Sequence, residues 1–283
     1  VADLSRLSSY SREEAGRMRI ISLVPSHTET LFYLDLGEQL VGVTEHCDFP
    51  PEAGHKERVG YFGKPDMIKI AALKPDLVVA GGSIHRAQVG QLRQSGIEVF
   101  DFQPDSVNSL LDGMEALLRI APSATGVARV AALRKRKQRL EELGRKNVHR
   151  LRLAFLVGGS VMHVPGPANW QYDAFRLCGT QPLSPVGDDL FIRVDWDDIQ
   201  AFDPEIILAC GHGSHERPPR RCPGCTVENR PCARDIVAIR DNPALRGVAA
   251  VQSDRVYPVA CHRFCRPGPR LFEGMEWLVL LCK

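Results

Sequence analysis

Two stretches, KPDLVVAGG at 74–82 and DPEIILACG at 203–211, decide how this chain is read. Each carries a proline and an acidic residue, then a short apolar run, then small residues. An apolar run bounded in this way reads as a buried strand feeding a loop. RIISLVPS at 19–26 and RLAFLVGGS at 152–160 repeat the pattern, and IEVFDF at 97–102 is answered by RVYPV at 255–259. In chain order the offsets are 133, 129 and 158 residues, so between the pairs that start at 74 and at 97 the second half carries 29 residues more than the first. The chain therefore reads as an α/β unit used twice, with an insertion in the second copy.

Helical stretches are expected between the strands at 28–36, 86–95 and 107–120. The longest, 123–147, has Val130, Leu133, Leu140 and Leu143 at helical spacing and lies between the two halves. Strands alternating with helices imply parallel sheets. The expected fold is α/β, with two Rossmann-like parallel-sheet lobes joined by one long helix and a ligand cleft between them. The expected division is an extension at 1–18, a lobe at 19–121, a linker helix at 122–149 and a lobe at 150–283, with a Cys-rich insertion at about 212–235. Ligands on such sheets bind beyond the carboxyl ends of the strands.

With 36 Lys and Arg against 34 Asp and Glu, the net charge of +2 gives no electrostatic case for nucleic acid. The basic run Arg134, Lys135, Arg136, Lys137 and Arg139 has no interleaved aromatics and reads as a solvated helix face. No apolar run approaches the ~20 residues that span a bilayer. Residues 1–18 lack the apolar core of a secretory signal, which favours the cytoplasm. There is no G-x-S-x-G elbow and no phosphate-loop pattern, so hydrolase and nucleotide readings fall away.

The stretch RIISLVPSHTETLFYLDLGEQLVGVTEHCDFPPEA at 19–53 carries a family likeness. So do the KPDLVV and DPEIILACG strands, QVGQLRQSGIEVF at 88–100, and VYPV followed by RPGPRLFEGMEWL at 266–278. Together they resemble the helix-linked (class III) solute-binding proteins, in particular the periplasmic cobalamin-binding type. The resemblance covers 19–283 apart from the insertion. It implies two α/β lobes, one connecting helix and a shallow cleft for a corrinoid, haem or ferric chelate. It also implies a docking carboxylate on each lobe for a membrane transporter. Those positions fall on Arg86 or Ala87 and on Cys265, none of them acidic, which argues against docking to an ABC transporter. A ligand-facing aromatic of the family falls near Arg263, with Phe264 beside it as a substitute.

On this reading the ligand-facing candidates are His27, His46, Cys47, Tyr61, His85, His163, Trp170, His262 and Phe264, with Phe191 and Arg193 as weaker ones. Each has a plainer alternative. His27 stands where a helix cap would, Trp170 suits a lobe-core plug, and His262 sits between two thiols.

Nine cysteines are too unevenly placed for a disulfide framework. Cys222, Cys225, Cys232, Cys261 and Cys265 fall within 44 residues. C-x2-C brings two thiolates to one metal from a tight turn, and Pro223-Gly224 suits that turn. Three cysteines in a compact run plus a distant one favour a [4Fe–4S] cluster, with zinc as the alternative. His212 or His215 stands as a possible replacement for one thiolate. The leading expectation is thus a binding protein for a corrinoid or similar metal chelate, carrying a Cys-ligated metal centre. A cluster-dependent redox enzyme and a zinc-stapled protein-interaction module are the alternatives.

Overall fold

The computed structural model describes residues 18–157, 162–210 and 236–283, without the side chains of Cys210 and Cys261. The contacts within the chain divide it into two compact units. The first holds the described residues up to Phe102 together with Leu117–Gly126, and the second holds Gln103–Ala116 and the described residues from Val127 on.

In the first unit, β1 (Ile20–Ser22) runs into α1 (Pro25–Tyr33), followed by β2 (Leu40–Val43) and β3 (Glu57–Arg58). A small antiparallel hairpin, β4 (Gly60–Tyr61) and β5 (Lys64–Pro65), leads to α2 (Met67–Ala72). Then come β6 (Leu77–Ala80), α3 (Arg86–Gln94) and β7 (Glu98–Asp101). The strands pair in parallel in the order β3-β2-β1-β6-β7. All four residues of β6 are buried, as befits a central strand covered on both faces. Pro25 starts α1, where a missing N–H costs nothing, and no side chain caps the helix. A core of Ile21, Leu23, Val59, Ile70, Val78 and Val89 fills this unit.

α4 (Val107–Ile120) and α5 (Ala124–Lys146) follow. Val130, Leu133 and Leu140 are the buried stripe of α5, and Leu143 is half-buried. From Val127 on, α5 belongs to the body of the second unit. Its basic run is less solvated than its composition suggests. Arg134 reaches Asp112 and Glu115 at 2.6 Å each, Arg136 forks onto Glu276, and Lys137 pairs with Glu141 at 3.3 Å.

The second unit continues with β8 (Arg152–Leu156), β9 (Met162–Pro165), α6 (Trp170–Leu177), β10 (Gln181–Pro182) and β11 (Phe191–Val194). It closes with α7 (Trp196–Phe202), β12 (Ile206–Cys210), α8 (Ile236–Arg240), α9 (Ala249–Gln252), β13 (Val256–Val259), α10 (Cys261–Phe264) and α11 (Leu271–Leu281). Its parallel sheet has the order β10-β8-β12-β13, and β9 pairs with β11 antiparallel beside it. The three strand pairs that rhyme in sequence, β1 with β8, β6 with β12 and β7 with β13, occupy matching places in the two sheets. The repeat is thus a repeat of topology.

Candidate functional site

In the first unit the carboxyl ends of β1, β6 and β7 bring together segments that the sequence keeps far apart. β1 delivers His27 through the first turn of α1, and β6 delivers Gly81, Gly82 and the single turn Gly82–His85. β7 delivers Asp101 and Phe102. Two glycines make the crossing from β6 possible. A Cβ on Gly81 would stand 2.7 Å from Val24 Cγ2, and Gly82 sits at φ +54°, a region that L side chains rarely adopt. The Gly82 N–H donates to Asp101 Oδ1 at 2.7 Å, tying this turn to β7.

His85 is completely buried, and its tautomer can be read from its partners. The Gly81 N–H donates to Nδ1 at 3.0 Å, so that nitrogen carries no proton. Nε2 lies 2.5 Å from the Phe62 carbonyl oxygen and must be the N–H donor. Burial pushes its pKa below the ordinary histidine value. His27 is only 4% exposed, its Nδ1 has no hydrogen-bond partner among the described residues, and its ring lies 5.5 Å from that of Phe102. Burial, with His85 nearby, holds its pKa down to about 3. Both imidazoles are therefore neutral at ordinary pH. His27 is a buried neutral base, not a helix cap.

Above this buried layer lies the β4–β5 hairpin. Tyr61 is 54% exposed, with its ring 5.9 Å from that of His46 and tilted 60° to it. Phe62 makes an edge contact with His85 at 5.4 Å, and a Cβ on Gly63 would come within 4.0 Å of the exposed Ile84. The Phe62 peptide is gripped from both sides, since its N–H donates to His46 Nδ1 at 3.3 Å and its carbonyl accepts from His85. Tyr61, His46, Phe62 and Ile84 gather at this hairpin above the buried His85, with the exposed Lys64 opposite Tyr61.

Two expected ligand contacts in this unit are structural instead. Cys47 is fully buried, with Sγ accepting from the Thr28 hydroxyl at 3.0 Å and lying 3.2 Å from Thr44 Oγ1. Burial pushes its thiol pKa up, against the opposing hydrogen bond from Thr28. Arg58 locks the same loop through the carbonyls of Thr44 and Cys47. His85, for its part, lies beneath the surface and supports it. Phe62, Asp101 and Phe102 were missed. Their only sequence signal is their position at a strand end or between two-residue strands.

In the second unit, Phe264 is a correction. It is fully buried, with its ring 5.1 Å from Phe175, 6.1 Å from Phe155 and 6.5 Å from Trp277. Phe264 therefore does not substitute for the family-like aromatic at Arg263, because the short α10 folds it inward, while Arg263 itself is half-buried. Trp170 is half-buried and opens α6; its Nε1–H and the Gln171 amide both donate to the Phe264 carbonyl at 3.0 Å. Its polar edge is therefore committed to holding α10. His163 is half-buried on β9 opposite Arg193, and its backbone exchanges hydrogen bonds with Val157. His262 and Cys265 are half-buried, whereas Phe191 and Arg193 are exposed. Cys222, Cys225 and Cys232 lie outside the described residues. Among the described residues no group of three or more His, Cys, Asp or Glu side chains is placed to hold a metal.

A groove of about 600 Å³ between α5 and α11 is lined by Lys135, Arg139, Leu143 and Leu280 among others. No helix among the described residues is long and apolar enough to cross a membrane.

The chain is similar to the vitamin B12-binding protein of Vibrio cholerae, with 27% identity over 262 residues, covering 91% of this chain and 86% of that protein. The corresponding protein of Vibrio vulnificus is 29% identical over 215 residues, covering 75% and 78%. The solved structure of the periplasmic vitamin B12 binding protein BtuF of Vibrio cholerae superposes with a TM-score of 0.75 at 26% identity, covering 93% of this chain and 96% of that one. The periplasmic heme-binding protein RhuT of Roseiflexus gives a TM-score of 0.75 at 19% identity, a likeness of fold alone. The model of the periplasmic binding protein family matches residues 20–259, and the chain belongs to that family.

Proposed function

We propose that this protein binds a flat metal chelate of the corrinoid class on the Tyr61–Phe62 surface of its first unit. The observation that carries the reading is that surface itself. A half-exposed tyrosine and Phe62 stand over the buried neutral His85, with the exposed Lys64 opposite Tyr61, so a large flat ligand meets an aromatic face edged by the Lys64 ammonium. That the Vibrio relatives are vitamin B12-binding proteins supports the choice of corrinoid over other chelates. His46 and Tyr61 remain the proposed contacts in this unit, whereas His27, like His85, belongs to the buried layer. His163, Trp170 and His262 are the proposed contacts in the second.

The second part of the proposal is a metal centre held by four thiolates drawn from Cys222, Cys225, Cys232, Cys261 and Cys265. Two observations fit it. β12 ends at Cys210, paired with Val259, only two residues before Cys261. The chain re-enters at Ile236, which packs in one core with Val256 of β13. Both ends of the cysteine-bearing segment are therefore tied beside the strand that leads to Cys261 and Cys265, and Cys265 is half-buried there. A [4Fe–4S] cluster is the preferred occupant and zinc the alternative. A bound cluster supplies a one-electron couple and cross-links the insertion to the end of β13. Keeping such thiols reduced favours the cytoplasm over the compartment named for the relatives. Arg86 and Ala87 are exposed at the start of α3, where the family likeness would put a docking carboxylate, so delivery to an importer is not part of the proposal.

The test is anaerobic purification with iron, sulfide and zinc analysis, followed by titration with cyanocobalamin. The proposal expects iron and sulfide in equal amounts and saturable binding of one cyanocobalamin. Zinc at about one per chain, without iron or sulfide, would replace the cluster. Absence of binding with the metal intact would remove the corrinoid reading.

A further inference from the structure

We propose that the groove between α5 and α11 is a docking site for a partner protein, which lays an acidic amphipathic helix along it. The groove belongs wholly to the second unit and has a volume of about 600 Å³. Each wall is one face of a helix. α11 contributes Glu276, Val279 and Leu280, with Lys283 just beyond its end, at the i, i+3, i+4, i+7 spacing of a single face. α5 contributes Lys135 and Arg139 one turn apart, with Arg136, Leu140 and Leu143 on the adjoining stripe. Leu140 and Val279 are buried in the floor and Leu143 is half-buried, whereas Leu280 is 64% exposed. The walls are fixed to each other. Arg136 forks onto Glu276, and the Asn147 side-chain amide donates to the Cys282 carbonyl at 3.4 Å. A seam held in this way is ready for a partner without a cost of ordering.

Charge selects the occupant. Glu276 is the one acidic residue among those lining the groove, and Arg136 already takes it. Arg139 adds only a longer-range attraction to the same carboxylate. Lys135, Arg139 and Lys283 form no ion pair among the described residues, so uncompensated positive charge edges the groove of a chain whose net charge is only +2. A second copy presenting the same face would set like charges together. A bilayer surface does not fill a concave seam, and the lining holds no aromatic ring on which nucleic-acid bases could stack. A small ligand needs enclosure, which the exposed Leu280 does not give. A helix with leucines at i, i+3, i+4 and i+7 fills the seam, and carboxylates one turn apart on its flank meet Lys135 and Arg139. Residues 135–143 span about 12 Å, or roughly two turns of such a helix.

The experiment uses the full chain and a synthetic helical peptide of about 18 residues, five turns, with leucines on one face and glutamates on its flanks. Binding is read by fluorescence anisotropy and mapped by NMR. Saturable binding is expected, with shifts confined to residues 135–143 and 276–283. Lys135→Glu combined with Arg139→Glu should weaken it by about tenfold or more, as should raising salt from ~0.05 to ~0.5 M. Leu280→Gln should weaken it too, and the same peptide with lysine for glutamate should not bind. All three substituted side chains are exposed, so the fold carries the changes. The proposal is overturned if the acidic peptide does not bind, if the doubly substituted chain binds it equally, or if the shifts fall elsewhere. It is overturned in favour of a second copy if sedimentation shows a dimer that Leu280→Gln dissociates. It is overturned in favour of a lipid surface if the chain sediments with phosphatidylglycerol vesicles and the double substitution abolishes this.

Discussion

Phe264→Ala separates a core aromatic from a ligand-facing one. Phe264 has no exposed surface, and its ring meets those of Phe155, Phe175 and Trp277 between 5.1 and 6.5 Å. Removing a fully buried Phe costs about 3–5 kcal/mol, through lost transfer energy and the cavity left behind. The rings around it are themselves core, so little relaxation is available, and the upper half of that range is expected. For a unit of this size each kcal/mol lowers the melting temperature by about 2–4 °C, which gives a fall of roughly 8–20 °C. Differential scanning calorimetry reads the shift. Titration of cyanocobalamin below the transition reads the other side, and its affinity should stay within about twofold of wild type. A variant that melts within about 2 °C of wild type and has lost ligand affinity would refute the core assignment.

Three further predictions follow from named contacts. The unfolded chain protonates His27 near pH 6.5, whereas the folded chain holds its pKa down to about 3, so the unfolded state binds more protons between these values. Stability is full above pH 6.5 and falls with acidification, by about 2–3 kcal/mol near pH 4.5; His27→Leu should lack that slope in urea unfolding, and parallel slopes would contradict it. Gly82→Ala, at φ +54°, should cost about 1–2 kcal/mol in the same assay, and a neutral substitution would show that the turn is not strained. Asp195→Ala removes the capping box of α7 and should cost about 1 kcal/mol, whereas Asp195→Asn should cost less.

The fold was legible where its determinants are local. Buried parallel strands must be short apolar runs, so the rhyme of 74–82 with 203–211 reported the places of β6 and β12 before any contact was known. α5 was legible because Val130, Leu133 and Leu140 recur at the helical period. The candidate site was legible only in part. Strand register put His27, His85 and Cys47 near the carboxyl ends, but whether a polar side chain there faces a ligand or the core depends on partners distant in sequence. The Gly81 amide and Phe62 carbonyl keep His85 inside, and the Thr28 and Thr44 hydroxyls do the same for Cys47. Phe264 misled for a related reason. An aromatic beside a family-like position gives no sign of which way a four-residue helix turns it. The hairpin carrying Tyr61 and Phe62 has strands too short to leave a periodic signal, so Phe62 escaped notice.

The Tyr61–Phe62 surface is the proposed seat of the corrinoid. The most direct test is cyanocobalamin affinity at neutral pH, measured by titration calorimetry for the wild-type chain and for Tyr61→Ala, whose half-exposed ring can be removed without opening the core. Binding is expected to be saturable and to weaken by about tenfold in Tyr61→Ala, the equivalent of one stacking contact of about 1.4 kcal/mol. Equal affinities for the two chains, or no binding by either, would contradict it.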